Sequence, residues 1–277
     1  MTDIEISGPA SPSTRSTGSK LKRWHEYAAS ALLIVIVLFL LEFSVDHGLV
    51  SRMIAPAPSS VWNVLVDGFA SGFYQPQVFF TVSSTLVGFL IASSAAIVIA
   101  GTLVSIPFLD RILTPYFVAF QSMPKIALAP LIVIWFGFGE LSKIVIVTIC
   151  CFFPIFMSAL SGLKLRDRDR LELMQSLGAT RMQLFFRLRL PQSLPAIFSG
   201  LHIGVVYALI GTVVAEFVGT NGGIGYVLLQ AKADFDIAGV YACLLMLMIF
   251  GVILHLVMGQ IEKRIAFWAQ DVNANNR

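Results

Sequence analysis

Charge is scarce in this sequence. Only 13% of its 277 residues are Asp, Glu, Lys or Arg, against 57% that are hydrophobic, whereas a soluble domain carries about 25% charged residues. No charge at all stands between Asp67 and Asp110. This shortage excludes a water-facing surface over most of the chain. Cysteine is scarce too: Cys150, Cys151 and Cys243 all lie in apolar runs without metal-ligand spacing, so they read as small buried hydrophobes and say nothing of redox compartment. Of His25, His47, His202 and His255, no two stand at metal-ligand spacing. A phosphate loop of the Gly-x-x-x-x-Gly-Lys-Ser/Thr kind is missing; Gly222, Gly223 and Gly225 lack the following lysine and read as a turn. No nucleophile, base and orienting group can be assembled. The chain reads as non-enzymatic, with no catalytic residue, metal site or cofactor of its own.

What is present is long apolar runs. Lipid offers no hydrogen bonds, so a spanning segment is a helix or part of a closed barrel. Barrel strands alternate in segments of roughly ten residues. The runs here are continuous over about twenty, the length of a spanning helix. The sequence therefore predicts an all-α membrane protein with about six transmembrane helices, near 28–45, 80–106, 113–136, 143–163, 195–218 and 238–260. Pro124, Lys125 and Pro130 interrupt the third.

Residues 1–27 read as a disordered tail, rich at first in Ser, Thr, Pro and Gly. Lys20, Lys22 and Arg23 before the apolar run imitate a signal peptide, but the run starts late and no small-x-small cleavage site follows, so it reads as a retained first helix. The stretch 44–77 holds a short amphipathic segment near Trp62–Phe69. Residues 28–262 form the transmembrane domain and 263–277 a second tail. With both termini cytoplasmic, fifteen of the nineteen Lys and Arg fall on the inside, from Arg15 through the 164–189 cluster to Arg277. Arg52, Lys143 and Lys232 fall outside, and Lys125 alone lies at membrane depth. The positive-inside rule favours this orientation.

The cytoplasmic segment 164–191 is the most informative. Asp169 with Glu172 has capping-box spacing, Gly178 suits a left-handed turn, Thr180 with Gln183 is a second box, and Pro191 is placed to stop the second helix. Leu171, Met174 and Leu177 fall on one apolar face. Two readings follow: an amphipathic hairpin on anionic lipid, or a docking element for another protein, set between two spanning helices that it would move.

This loop resembles the EAA motif of permease subunits in binding-protein-dependent ABC importers. Glu172, Gly178, Ala179, Leu190 and Pro191 hold the motif's spacing, while Leu173 and Met174 replace its two alanines and Leu188 its isoleucine. The segments from Gln121 to Leu131, Trp135 to Gly137, Ala215 to Gly219 and Gly223 to Tyr226 are similar to nitrate/sulfonate/taurine-type permeases, with Gln121 to Gly139 closer to vitamin-precursor members. The resemblance covers roughly residues 56–265. It implies a type I importer permease (MetI-like) in the bacterial plasma (inner) membrane. It further implies a homodimer, a cytoplasmic ATPase that binds ATP and Mg, an extracytoplasmic substrate-binding protein, and coupling through Leu171, Glu172, Met174, Leu177, Gly178, Ala179, Leu190 and Pro191. No nucleic-acid partner is implied.

Two intramembrane charges remain. Lys125 reads either as structural, pairing with Glu216 or supporting the break at Pro124, or as a pathway charge beside Gln121 and Glu216 that meets a polar solute. Glu140 and Lys143 flank a short outer loop, as solvated charges or as a binding-protein contact. An ion-coupled secondary transporter would show broken helices with paired intramembrane carboxylates, and only Glu216 is available as such a carboxylate. A membrane scaffold without transport would not need the loop's glycine or its Leu-Pro spacing.

Overall fold

A computed structural model describes residues 18–51, 53–164 and 168–267. The parts of the expected tails at 1–17 and 268–277 lie outside the described residues, as does the start of the cytoplasmic loop at 165–167. The chain divides into two compact units, Met1–Ser59 and Ser60–Arg277.

In the first unit, α1 (Gly18–Asp46) is a single 29-residue helix. It begins inside the stretch expected to be a disordered tail, because good helix formers follow directly on Gly18. Leu32 to Leu40 expose their side chains. The carboxylate of Glu42 accepts from the N–H of Ser59 at 3.0 Å and from its hydroxyl at 2.5 Å; the chain continues from there as α2 (Pro58–Ala70), most of which belongs to the second unit.

In the second unit, α3 (Tyr74–Ser105) starts earlier than expected; it ends where Ile106, extended by the following Pro107, breaks it. Next come α4 (Pro107–Gln121), a 3₁₀ turn at Lys125–Leu128, and α5 (Ala129–Phe136). These two arms are bent by 84°, so the expected third span is a sharply broken pair rather than one interrupted helix. Pro124 forces the break: it lacks an N–H and its backbone is extended, at ψ 90°. The remaining helices are α6 (Glu140–Lys164), α7 (Arg168–Ser176), α8 (Arg181–Leu184), α9 (Leu190–Gly219), α10 (Ile224–Ala233) and α11 (Ile237–Ile265).

Among the described residues, four helical stretches are long and apolar enough to cross a membrane, or five if the bent pair is one span. The four are Tyr74–Ser105, Glu140–Lys164, Arg181–Gly219 and Ile237–Ile265. The core is the packing of α3, α6 and α9. Phe89, Ala92, Ala96 and Ala100 of α3 meet Cys151, Ile155, Phe156 and Ala159 of α6 and Ile197, Val205 and Ala208 of α9. Lipid tails are as apolar as leucine, so these helices gain from close approach rather than from leaving water. Gly200 and Gly204 provide that approach. A Cβ on Gly200 would stand 2.5 Å from that of Ser158, and one on Gly204 would stand 2.6 Å from the side chain of Ile155. The three cysteines are free and buried, as expected: Cys151 in this core, Cys150 against Ala129, Ile132 and Val133 of α5, and Cys243 of α11 in a cluster with Tyr74 and Ile224.

Candidate functional site

The hairpin is built by local chemistry. At its turn Gly178 has φ +75°. Its N–H donates to the carbonyl of Gln175 at 2.9 Å, and that of Ala179 to Met174 at 3.0 Å. This pair is the Schellman closure of a helix C-terminus, which needs a left-handed residue at the position of Gly178. Thr180 then caps α8. Its hydroxyl accepts from the N–H of Gln183 at 3.3 Å, while the Gln183 side chain accepts from the N–H of Thr180 at 2.9 Å. Both features match the sequence.

Three details differ. The helix α7 starts at Arg168, so Asp169 sits in its first turn, where its charge favours the positive helix end, and is not the cap of a box with Glu172. Pro191 does not stop the second arm. A widened π turn at Phe185–Arg189 precedes it, with the N–H of Leu190 reaching Phe185, and loosens the turn that the proline ring would crowd, so the helix passes through Pro191 into α9. The arm is therefore continuous with a spanning helix. The apolar face is also rotated: Leu171 and Met174 are half-buried, whereas Leu173 is 61% and Leu177 78% exposed; Met182 and Phe186 of the second arm are exposed too. Glu172 is exposed, and Leu190 packs against the main core.

Lys125 does not pair with Glu216. Its Nζ donates to the carbonyl of Gln121 at 2.9 Å, one of the acceptors left over at the helix break, and stands 5.1 Å from the ring centre of Phe153. It is half-buried, and Gln121 is exposed.

The partner of Glu216 is Lys143, which by sequence stands beside the outer loop as a solvated charge or a binding-protein contact. Their charged atoms are 2.8 Å apart, with Lys143 2% and Glu216 1% exposed. The same Glu216 oxygen accepts from the hydroxyl of Thr81 at 2.8 Å, and the other from the N–H of Gly225 at 2.7 Å. Lys143 also donates to the carbonyl of Phe80 at 3.2 Å. The free N–H groups at the start of α10 are met by side chains: Gly223 by Gln77 at 2.7 Å, Ile224 by Thr81 at 2.8 Å, Gly225 by Glu216. Gly223 has φ +110°, and a Cβ there would overlap the Glu216 carboxylate. The glycine cluster thus seats a carboxylate. Four helices, α3, α6, α9 and α10, meet at this one network. The signal in the sequence was Glu216 itself, the one Asp, Glu, Lys or Arg between Arg189 and Lys232, which demanded a cation.

His202 and His255, unremarkable in spacing, lie with ring centres 4.9 Å apart, and His202 meets Glu262 at 2.9 Å.

Comparison with known proteins bears on the whole arrangement. The family model described as "Binding-protein-dependent transport system inner membrane component" matches residues 88–267. The formylaminopyrimidine transport permease protein ThiX of Halalkalibacterium halodurans is 31% identical over 258 residues, 90% of this chain and 98% of that protein. The taurine transport system permease protein TauC of Escherichia coli is 32% identical, over 81% of this chain and 83% of its own length. The riboflavin transport system permease protein RibX of Chloroflexus aurantiacus is 30% identical, over 93% and 95%. Among solved structures, a chain of the inward-facing MetNI methionine ABC transporter superposes with TM-score 0.60 at 20% identity, over 68% of this chain and 94% of that one, which speaks to the fold. The chain thus belongs to the binding-protein-dependent transport system inner membrane component family, and it is the non-catalytic, multi-pass inner-membrane permease subunit of an ABC importer for small solutes.

Proposed function

We propose that this permease works as a homodimer in the bacterial inner membrane, with both termini cytoplasmic and α1 as the first of six crossings. Each copy docks through residues 164–191 on one ATPase subunit, which binds ATP and Mg²⁺. A binding protein delivers solute from outside, and closure of the ATPases turns the cavity between the permeases outward. The observation that carries this reading is the hairpin: a stiff turn at Gly178, leucines exposed at Leu173 and Leu177, and an arm that runs without a stop into α9. A push on it is delivered directly to a spanning helix.

The proposed solute is a small polar molecule of the sulfonate, taurine or nitrate class, or a vitamin precursor. Relatives named for formylaminopyrimidine and for taurine stand at 31% and 32% identity, which fits a permease that leaves selection to its binding protein. Lys125 and Gln121, at the break in the bent pair, are the proposed pathway residues. Glu216 is withdrawn from that set, since both its oxygens are engaged. The same engagement counts against an ion-coupled transporter, which would need that carboxylate for its ion.

The test is Gly178→Val. A β-branched residue at positive φ costs on the order of 1–2 kcal/mol locally, so the hairpin distorts while the spans still insert. Pull-down of the ATPase and solute-stimulated ATP hydrolysis in proteoliposomes should both drop severalfold. Wild-type values for both would remove the hairpin as the coupling element.

A further inference from the structure

A groove of 540 Å³ opens between the last turns of α3 and the second arm of the hairpin. Ile97 and Val98 of α3 face Met182, Phe185, Phe186 and Leu190 across it. Gly101 makes the space: a Cβ there would come within 3.1 Å of the Phe185 ring. The polar lining is Thr102, Ser105 and Arg181. Both hydroxyls donate back along α3 at 2.8 Å, to Val98 and Gly101 respectively, and keep acceptor capacity.

Two features define what fits. The first is depth. α3 ends its apolar span at Ser105, and the span that includes α9 begins at Arg181. The polar lining therefore stands where hydrocarbon gives way to headgroups, with the apolar walls on the membrane side. The second is charge. Arg181 is exposed, and its guanidinium has no hydrogen-bond or ion-pair partner among the described residues. The sequence holds no Asp or Glu from Leu173 to Ala215, while this arm carries Arg181, Arg187 and Arg189. On α4, Asp110 is paired with Lys164 at 2.6 Å; Asp169 and Glu172, on the first arm of the hairpin, are exposed and do not line the groove. An apolar slot with one available guanidinium at its mouth suits an amphiphile with an anionic head.

We propose that this groove binds an anionic phospholipid of the leaflet bordering the hairpin. One acyl chain lies between Val98 and Phe186, the phosphate sits on Arg181, and Thr102 and Ser105 accept from a hydroxyl-bearing headgroup. The bound lipid wedges the second arm against α3, so membrane composition sets how firmly the hairpin is held. Arg181, Met182, Phe185, Phe186 and Leu190 of the groove also belong to the segment 164–191 proposed to dock on the ATPase, so the test uses the permease without its ATPase.

The full-length chain in detergent micelles, titrated with phosphatidylglycerol or with phosphatidylcholine of the same chains and read by native mass spectrometry, tests it. The wild type should prefer phosphatidylglycerol. Arg181→Gln should weaken phosphatidylglycerol binding about five-fold, the effect of one surface cation, and leave phosphatidylcholine unchanged. Val98→Trp, at a site 66% exposed and so free of the core, should fill the slot and displace both lipids. Arg187→Gln, outside the groove, should retain wild-type binding. Equal wild-type affinity for the two lipids would overturn the proposal. So would a loss in Arg187→Gln as large as in Arg181→Gln, retention by both groove variants, or displacement of the lipid by an equal concentration of inorganic phosphate.

Discussion

Replacing Lys143 by methionine keeps most of the side chain's length and removes its charge together with its hydrogen bond to the Phe80 carbonyl, so the ion pair with Glu216 is isolated only by comparison with the matching change at Glu216. Both groups are almost wholly withdrawn from solvent, so surface screening does not dilute the result. Without Lys143 the carboxylate keeps two donors, the Thr81 hydroxyl and the Gly225 N–H, but no countercharge. Breaking a buried pair from one side costs about 3–5 kcal/mol; the two surviving hydrogen bonds put Lys143→Met at the lower end. For a domain of this size that corresponds to a fall in thermal midpoint on the order of 10 °C. Glu216→Gln leaves the ammonium with neutral acceptors only, the new amide oxygen and the Phe80 carbonyl at 3.2 Å, and sets the amide NH₂ against the donating N–H of Gly225, so it should cost at least as much. The double variant Lys143→Met with Glu216→Gln buries no charge, so it should unfold within a few degrees of wild type. The assay is thermal unfolding of the purified permease, followed by the monodisperse fraction on size exclusion, with all four proteins forming a double-mutant cycle. A double variant no more stable than the worse single one would refute the pairing, as would wild-type stability in Lys143→Met.

Three further outcomes are expected. Gly204→Leu drives a side chain into Ile155 across the α6–α9 contact and should lower folded yield, with a cost of about 1–3 kcal/mol or more; normal yield and stability would show that the close approach is dispensable. Lys125→Met, which removes one hydrogen bond to Gln121 and the contact with Phe153, should lower transport severalfold while assembly with the ATPase stays normal; unchanged transport removes Lys125 from the pathway. Single cysteines at Ser176 and Ser71, placed in a background without the native three, should label from opposite sides of the membrane, and labelling of both from outside would sink the proposed topology.

The apolar runs by themselves determined that this chain crosses a membrane as helices, because lipid leaves the backbone no other way to satisfy its hydrogen bonds. The hairpin turn was legible for a related reason: Gly178 and the Thr180–Gln183 box act over three or four positions, and such chemistry is visible in a linear string. Local reading failed where a neighbouring element decided the outcome. Pro191 looked like a stop, but the π turn before it and the core around Leu190 carry the helix through. The face expected at Leu171, Met174 and Leu177 depended on where α7 begins and what it packs against. Lys125 was the nearer cation to imagine for Glu216, yet its reach is spent on the carbonyl that Pro124's break leaves free. Lys143, Thr81 and Gly225 instead converge on Glu216 from three helices, two of them more than seventy positions away from it in sequence. Only the packing of α3, α6, α9 and α10 decides that meeting, because a buried charge takes whichever partner the fold carries into contact, and spacing along the chain holds no record of it.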